Sequence, residues 1–157
     1  MSVKFSDKAM REYQDLVLRY PEKKAALLMV AHLAQREFGW ISRDVMEYIG
    51  ELLEIPFSEV YDTITFYTMF KQKPMGRYHL QVCRTLSCKL TGAGDIFHHL
   101  EEKLGIKDGE VTLDGKFSLL KVECLGSCGT GPVVQINDDY HENLSIERLD
   151  KILSELK

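Results

Sequence analysis

The sequence contains four cysteines, and they fall in two pairs: Cys83-Arg-Thr-Leu-Ser-Cys88 and Cys124-Leu-Gly-Ser-Cys128. The first pair encloses four residues and the second encloses three. Four thiolates are the complete ligand set of a [2Fe–2S] cluster. An all-thiolate cluster of this type is a dianion when oxidised, and burying it is costly unless dipoles point at it. Glycine suits that task, because its N–H can turn toward sulfur with no side chain in the way. Gly92, Gly94, Gly126, Gly129 and Gly131 lie in or beside the cysteine segments, five of the eleven glycines in the chain. That enrichment favours a cluster over four cysteines that are simply buried.

Other chemistries compete for the same residues. Structural zinc also takes four cysteines, but usually from loops with two residues between ligands, and neither pair has that spacing. A thioredoxin-type dithiol needs Cys-x-x-Cys, which is absent. Disulfides call for an export signal, and the Met-Ser-Val-Lys-Phe-Ser-Asp start has no apolar signal region. His98 and His99 are adjacent, so on a helix they diverge and read as surface residues. Gly92-Ala-Gly94 begins like a dinucleotide fingerprint, but Phe97 stands where the third glycine belongs. There is no P-loop and no Gly-x-Ser-x-Gly. The residues favour carrying an electron over transforming a substrate, and no catalytic residue is assigned.

Composition agrees with a soluble carrier. Of 157 residues, 45% are hydrophobic and 28% charged, enough for one or two compact domains, and the net charge is −4. No run of Lys or Arg offers a phosphate-neutralising surface, so nucleic acid is not an expected partner. The most apolar run, Ala25 to Ala34, is interrupted by His32 and is too short to span a bilayer, so no direct membrane insertion is expected. A reducing, cytoplasmic setting is expected, where paired cysteines are more often metal ligands or redox groups than structural disulfides.

Around the cysteines the sequence predicts two domains. Residues 1–74 read as a small helical bundle. Met10, Tyr13, Val17 and Tyr20 share a helix face after a Ser6 cap, and Pro21 suits the start of a second helix carrying Leu27, Val30 or Ala31, Ala34 and Phe38, ended by Gly39. Ser42 caps a third helix with Val45, Ile49, Leu52 and Leu53, and Pro56 opens a fourth with Val60, Ile64 and Tyr67 inward. Acidic residues Glu47, Glu51, Glu54, Glu59 and Asp62 on the last two helices argue against DNA binding by a helix-turn-helix. Trp40 reads as a core or interface anchor.

Lys71 to Gly76 has the composition of a connector, and residues 75–157 form the second domain. Arg77 to Cys83 alternates as a half-buried strand, with Tyr78, Leu80 and Val82 on one face and His79 and Gln81 on the other. Ile96, Phe97, Leu100 and Leu104 mark a helix ending at Gly105; a turn at Asp114-Gly115 leads into a strand from Phe117 to Glu123. Val133–Ile136 and Tyr140–Glu142 form a hairpin, and Ser145 caps a last helix with Leu149, Ile152, Leu153 and Leu156 inward. The order β-α-β-β-β-α predicts a four-stranded thioredoxin-like α/β layer after the bundle, an α+β chain overall. A strand–helix–strand crossover makes the first two strands parallel, so both cysteine loops leave the same end of the sheet.

Cys83-x₄-Cys88 with Cys124-Leu-Gly-x-Cys128, then Pro132-Val-Val-Gln-Ile-Asn-Asp, resembles the thioredoxin-like [2Fe–2S] subunits (24-kDa type) of NADH:quinone oxidoreductase, respiratory complex I. The likeness extends through Gly39-Trp-Ile-Ser42 and Glu59 to Phe70, and so covers most of the chain. One departure is Gly131, where these subunits commonly have Ala before the Pro. The resemblance implies that Cys83 and Cys88 bind one iron, and Cys124 and Cys128 the other. It implies a flavoprotein partner carrying FMN and the NADH site, and a place in a complex peripheral to the inner membrane. Equivalent subunits of NAD-linked hydrogenases or formate dehydrogenases are the alternative context, and a stand-alone ferredoxin is a third.

Overall fold

A computed structural model of the chain describes residues 3–156. The chain divides between Pro74 and Met75 into two compact units.

The first unit holds α1 (Asp7–Val17), α2 (Leu27–Phe38), α3 (Arg43–Leu53) and α4 (Phe57–Phe66). Ser6 caps α1 by accepting from the Ala9 N–H, and Ser42 caps α3 by accepting from the Val45 N–H. Gly39 ends α2 in the left-handed region at φ 81°. Val30, Ala31, Ala34, Ile41, Ile49, Val60 and Ile64 close the core, all fully buried. At its edge Phe5 stacks on Phe38 and meets Tyr48 edge-on.

Two expectations fail here for one reason, the position of the buried face. Pro21 does not open α2; a 3-10 turn at Lys23–Ala26 comes first. Glu22, Lys23 and Lys24 are exposed, and α2 begins only where Leu27 and Val30 have a core to enter. Tyr67 does not point inward either. The helix ends at Phe66, and Phe70 fills the buried position with its ring 5.0 Å from that of His32. Trp40 is half-buried.

The second unit holds β1 (Tyr78–Cys83), α5 (Leu86–Leu90), α6 (Ala93–Leu104), β2 (Phe117–Val122), β3 (Val134–Ile136), β4 (Asp139–His141) and α7 (Ile146–Glu155). The sheet order is β2-β1-β3-β4; β1 and β2 are parallel, and the other pairs antiparallel. Leu80 pairs with Leu119 and Ile136 across the sheet, and Phe97, Leu100 and Leu149 join that core. Ser145 caps α7 by accepting from the Arg148 N–H. β4 starts at Asp139, one residue earlier than the alternation suggests, because Asn137 takes the left-handed conformation at φ 55° and tightens the turn. His79, placed by alternation on a half-exposed face, is buried with its Nδ1 2.8 Å from Ser118 Oγ. Among the described residues no helix is long and apolar enough to cross a membrane.

Candidate metal centre

The sheet register positions the thiols. Cys83 is the last residue of β1 and lies opposite Val122, the last of β2, in a parallel pair. The chain leaving β2 reaches Cys124 two residues later. Both cysteine segments therefore emerge from one end of the sheet, where ligands of open α/β sheets tend to lie.

Cys88 sits on α5, a short helix inside the first segment that the sequence pattern does not reveal. Its Leu86 and Leu90 are 73% and 77% exposed, so no buried periodic face announces a helix. Cys88 itself is the residue α5 buries. Cys128 opens a 3-10 turn, Cys128–Thr130, and its Sγ lies 3.7 Å from Cys124 Sγ. That distance is far beyond a disulfide bond. Gly131 brings the second segment against the first: a Cβ on it would stand 3.4 Å from Cys88 Sγ and 2.7 Å from Thr91 Oγ1. Only glycine fits that approach without displacing a neighbour.

Backbone donors cross between the segments. Cys83 Sγ receives hydrogen bonds from the N–H of Leu125, in the other segment, and of Thr85, and lies 3.2 Å from the Thr85 hydroxyl. Cys88 receives one from the Val133 N–H. Cys124 receives one from Gly126, which has φ 79° and turns its N–H back at 3.3 Å. Of the five glycines singled out, Gly126 alone is seen donating to sulfur. Gly131 serves through lack of bulk, Gly92 takes a left-handed conformation ahead of α6, and nothing in the structure explains Gly94 or Gly129.

The thiols respond to these surroundings in different ways. Burial resists ionisation of Cys83, but the Thr85 hydroxyl and the Leu125 and Thr85 N–H groups outweigh it and lower its pKa. Burial, reinforced by the neighbouring Cys83, pushes Cys88 up to about 11. The Cys124 thiol beside it raises Cys128. Cys83 and Cys88 are each 1% exposed, whereas Cys124 and Cys128 are exposed. The pairs thus present one sheltered half and one open half. Beside the sheltered half, Arg84, Lys89 and Lys121 line a cavity of about 340 Å³, with Lys121 Nζ 3.9 Å above the Phe97 ring. Arg84 is ion-paired with Glu123, which leaves Lys89 and Lys121 as the cations of that lining not offset by it. Sequence reading did not single them out, since they are scattered over the end of β1, α5 and β2 rather than clustered.

The donor set is two thiol pairs at one sheet end, and a two-iron cluster takes two thiolates on each iron. His98 and His99 stand apart from the cysteines: His98 lies 3.3 Å from Glu101, and His99 2.7 Å from Asp150.

The chain is similar throughout to curated relatives. It is 47% identical over 98% of its length, and 93% of theirs, to the NADH-quinone oxidoreductase E-type polypeptide of Rickettsia bellii (strain RML369-C). It is 42% identical over 93% of its length to an NADH-quinone oxidoreductase E-type polypeptide of Rhizobium meliloti (strain 1021), covering 87% of that protein. Among solved structures, an NAD+-reducing [NiFe]-hydrogenase in the air-oxidised state shares the fold, with a TM-score of 0.72 at 22% identity. That match covers 83% of this chain and 22% of the hydrogenase chain. The family model described as thioredoxin-like [2Fe-2S] ferredoxin matches residues 13–157, and with the cysteine pairs at one sheet end the chain belongs to that family.

Proposed function

We propose that this chain is the electron-transfer subunit of the NADH-oxidising module of NADH:quinone oxidoreductase, holding one [2Fe–2S] cluster on Cys83, Cys88, Cys124 and Cys128. The observation that carries this reading is the meeting of two cysteine pairs at one end of a parallel strand pair, with the N–H donors of Leu125 and Val133 reaching across to the first pair's thiols. Cys83 and Cys88 take one iron, and Cys124 and Cys128 the other. When bound, the cluster supplies one-electron redox chemistry, at a potential of roughly −400 mV if it behaves like plant-type ferredoxin centres.

The chain's own residues hold and shield. The N–H groups of Leu125, Thr85, Val133 and Gly126 orient the thiolates and offset their charge. Burial of Cys83 and Cys88 keeps water from one half, while Cys124 and Cys128 leave the other half within reach of a partner. A hydride donor delivers two electrons together, so the site that splits them belongs on a separate chain, a flavoprotein carrying FMN and the NADH site. Residues 1–74 bring no cysteine and serve docking: Phe66, Tyr67 and Met69 are exposed there, residue types enriched in interfaces. In the assembled complex the chain sits on the cytoplasmic side, peripheral to the inner membrane. The shared fold with a chain of an NAD+-reducing hydrogenase supports a second setting, the same role in an NAD-linked hydrogenase or formate dehydrogenase. The flavoprotein that co-purifies decides between them.

The test is metal analysis followed by reduction. The purified chain should hold two irons and two sulfides, and Cys83→Ala or Cys124→Ala should lose the visible absorption. NADH alone should leave the spectrum unchanged. One zinc and no iron would refute the cluster, and prompt bleaching by NADH without a partner would refute the carrier-subunit role.

A further inference from the structure

The segment after β4 carries an acid that the ligand set does not use. Glu142 Oε1 accepts from the Ser127 hydroxyl and, at 2.8 Å, from the Thr130 hydroxyl. The two hydroxyl oxygens lie 2.8 Å from one another, and the Thr130 N–H donates to the Ser127 carbonyl at 3.2 Å. Each hydroxyl has a single proton, so both protons can converge on one carboxylate oxygen. The acid is held in turn by its own segment. Asn143 N–H donates to the Thr130 carbonyl at 2.7 Å, Leu144 N–H to the Pro132 carbonyl at 3.3 Å, and Arg148 Nη1 to the Glu142 carbonyl at 2.9 Å.

Ser127 immediately precedes Cys128, and Thr130 ends the 3-10 turn that Cys128 begins. This is the half of the site where burial does not fix the cysteines, and both Gly126 and Gly129 lie within two residues of Cys128. Backbone so rich in glycine loses much freedom when ordered, and side-chain bonds must supply the order. Ser127, Thr130 and Glu142 are held by bonds that are partly shielded from water, where such bonds are stronger than at an open surface.

We propose that Glu142 is the positioning residue of the exposed ligand segment: its carboxylate gathers the Ser127 and Thr130 hydroxyls and so presents Cys128 beside Cys124. This rests on the cluster-carrying role proposed above. Glu142 acts on the thiol through Ser127 and Thr130.

Glu142→Gln and Glu142→Ala in the full chain test this. Gln keeps an oxygen where both hydroxyls point and removes the charge; Ala removes the acceptor. In the apo protein, amide exchange at Cys128–Gly131 should quicken about tenfold in Glu142→Ala and stay within about twofold in Glu142→Gln, as expected for loss of an acceptor that Gln retains. In the iron-loaded protein, chelator should strip Glu142→Ala faster, while Glu142→Gln keeps its iron as wild type does. Unchanged exchange in Glu142→Ala overturns the inference, as does a Gln variant as loose as the Ala variant. If Glu142→Ala fails to fold, Ser127→Ala and Thr130→Val remove the donors instead, and an unaltered turn in both overturns it equally. A wild-type chain that binds no iron would sink the cluster reading alone, since the apo exchange comparison still decides the role of Glu142.

Discussion

Gly131→Ala probes the closest approach between the two cysteine segments. Gly131 has φ −64° and ψ 156°, a conformation open to alanine, so the substitution meets no backbone strain. By restricting the unfolded chain it should stabilise by about 0.4–1 kcal/mol. Against this, the new methyl lands 2.7 Å from Thr91 Oγ1 and 3.3 Å from Cys88 Cα. Thr91 is not free to swing aside, because its hydroxyl donates to the Ser87 and Cys88 carbonyls at 3.0 and 3.1 Å. Overpacking of this kind costs about 1–3 kcal/mol; with Thr91 held in place the cost belongs in the upper half of that range, so the net effect should be a loss of about 1–2 kcal/mol. For a unit of this size that lowers the midpoint of its thermal transition by roughly 4–16 °C. The assay is thermal unfolding of the apo chain as wild type, Gly131→Ala, Thr91→Ala and the double variant. Removing the Thr91 hydroxyl makes room, so Gly131→Ala should cost little in the Thr91→Ala background. A Gly131→Ala chain as stable as wild type, or one whose loss is the same in both backgrounds, refutes the claim that Thr91 enforces glycine. The outcome is informative because the subunits this chain resembles commonly carry alanine at that position.

Two further predictions concern the apo thiols and the helical unit. Cys88 is raised from its ordinary 9.0 to about 11, so the folded chain holds that proton more tightly than the unfolded one. For a thiol, whose charged form is the deprotonated one, the neutral form is what the fold favours. Its contribution to stability is complete above about 11 in the destabilising sense: unfolding is assisted as pH climbs from 9.0 through about 11, and below 9.0 the thiol adds no pH dependence. Urea titrations of the apo chain across that window should show the decline, and Cys88→Ala should lessen it, leaving the smaller part due to the raised Cys128; an equal decline in that variant would show other groups to be responsible. Separately, a chain beginning at Met75 should keep its cluster and lose the flavoprotein. Co-purification of the shortened chain with that partner would place docking in the cluster-bearing unit instead.

Much of the site could be read directly from residue types. The serine caps at positions 6, 42 and 145 and the Gly39 stop are local signals, each acting within three or four residues, and the structure contains all four. The parallel β1–β2 pair followed from connection rules, and it brought the Cys83 and Cys124 segments to one sheet end across a long stretch of sequence. What escaped was set by tertiary contact. α5 has no amphipathic stripe, and its one buried residue is Cys88 itself. Glu142 lies twelve and fifteen positions from the hydroxyls it gathers, with no periodicity to link them. The donors to Cys83 and Cys88 are backbone N–H groups, which every residue but proline possesses and which no side-chain pattern reveals.

The parallel pairing of β1 with β2 also fixes an order of events during synthesis. Cys83 leaves the ribosome ahead of Cys124, and roughly forty residues at about 5–20 residues per second leave a gap of roughly 2–8 seconds. Until β2 docks alongside β1, the N–H of Leu125 cannot reach Cys83, and the first thiol pair is an incomplete site with solvent access. Parallel pairing across a crossover is slow to form, because a long loop must close before any contact rewards it. Under the proposed ligand set, all four thiols therefore stand together only in a chain already folded through β2.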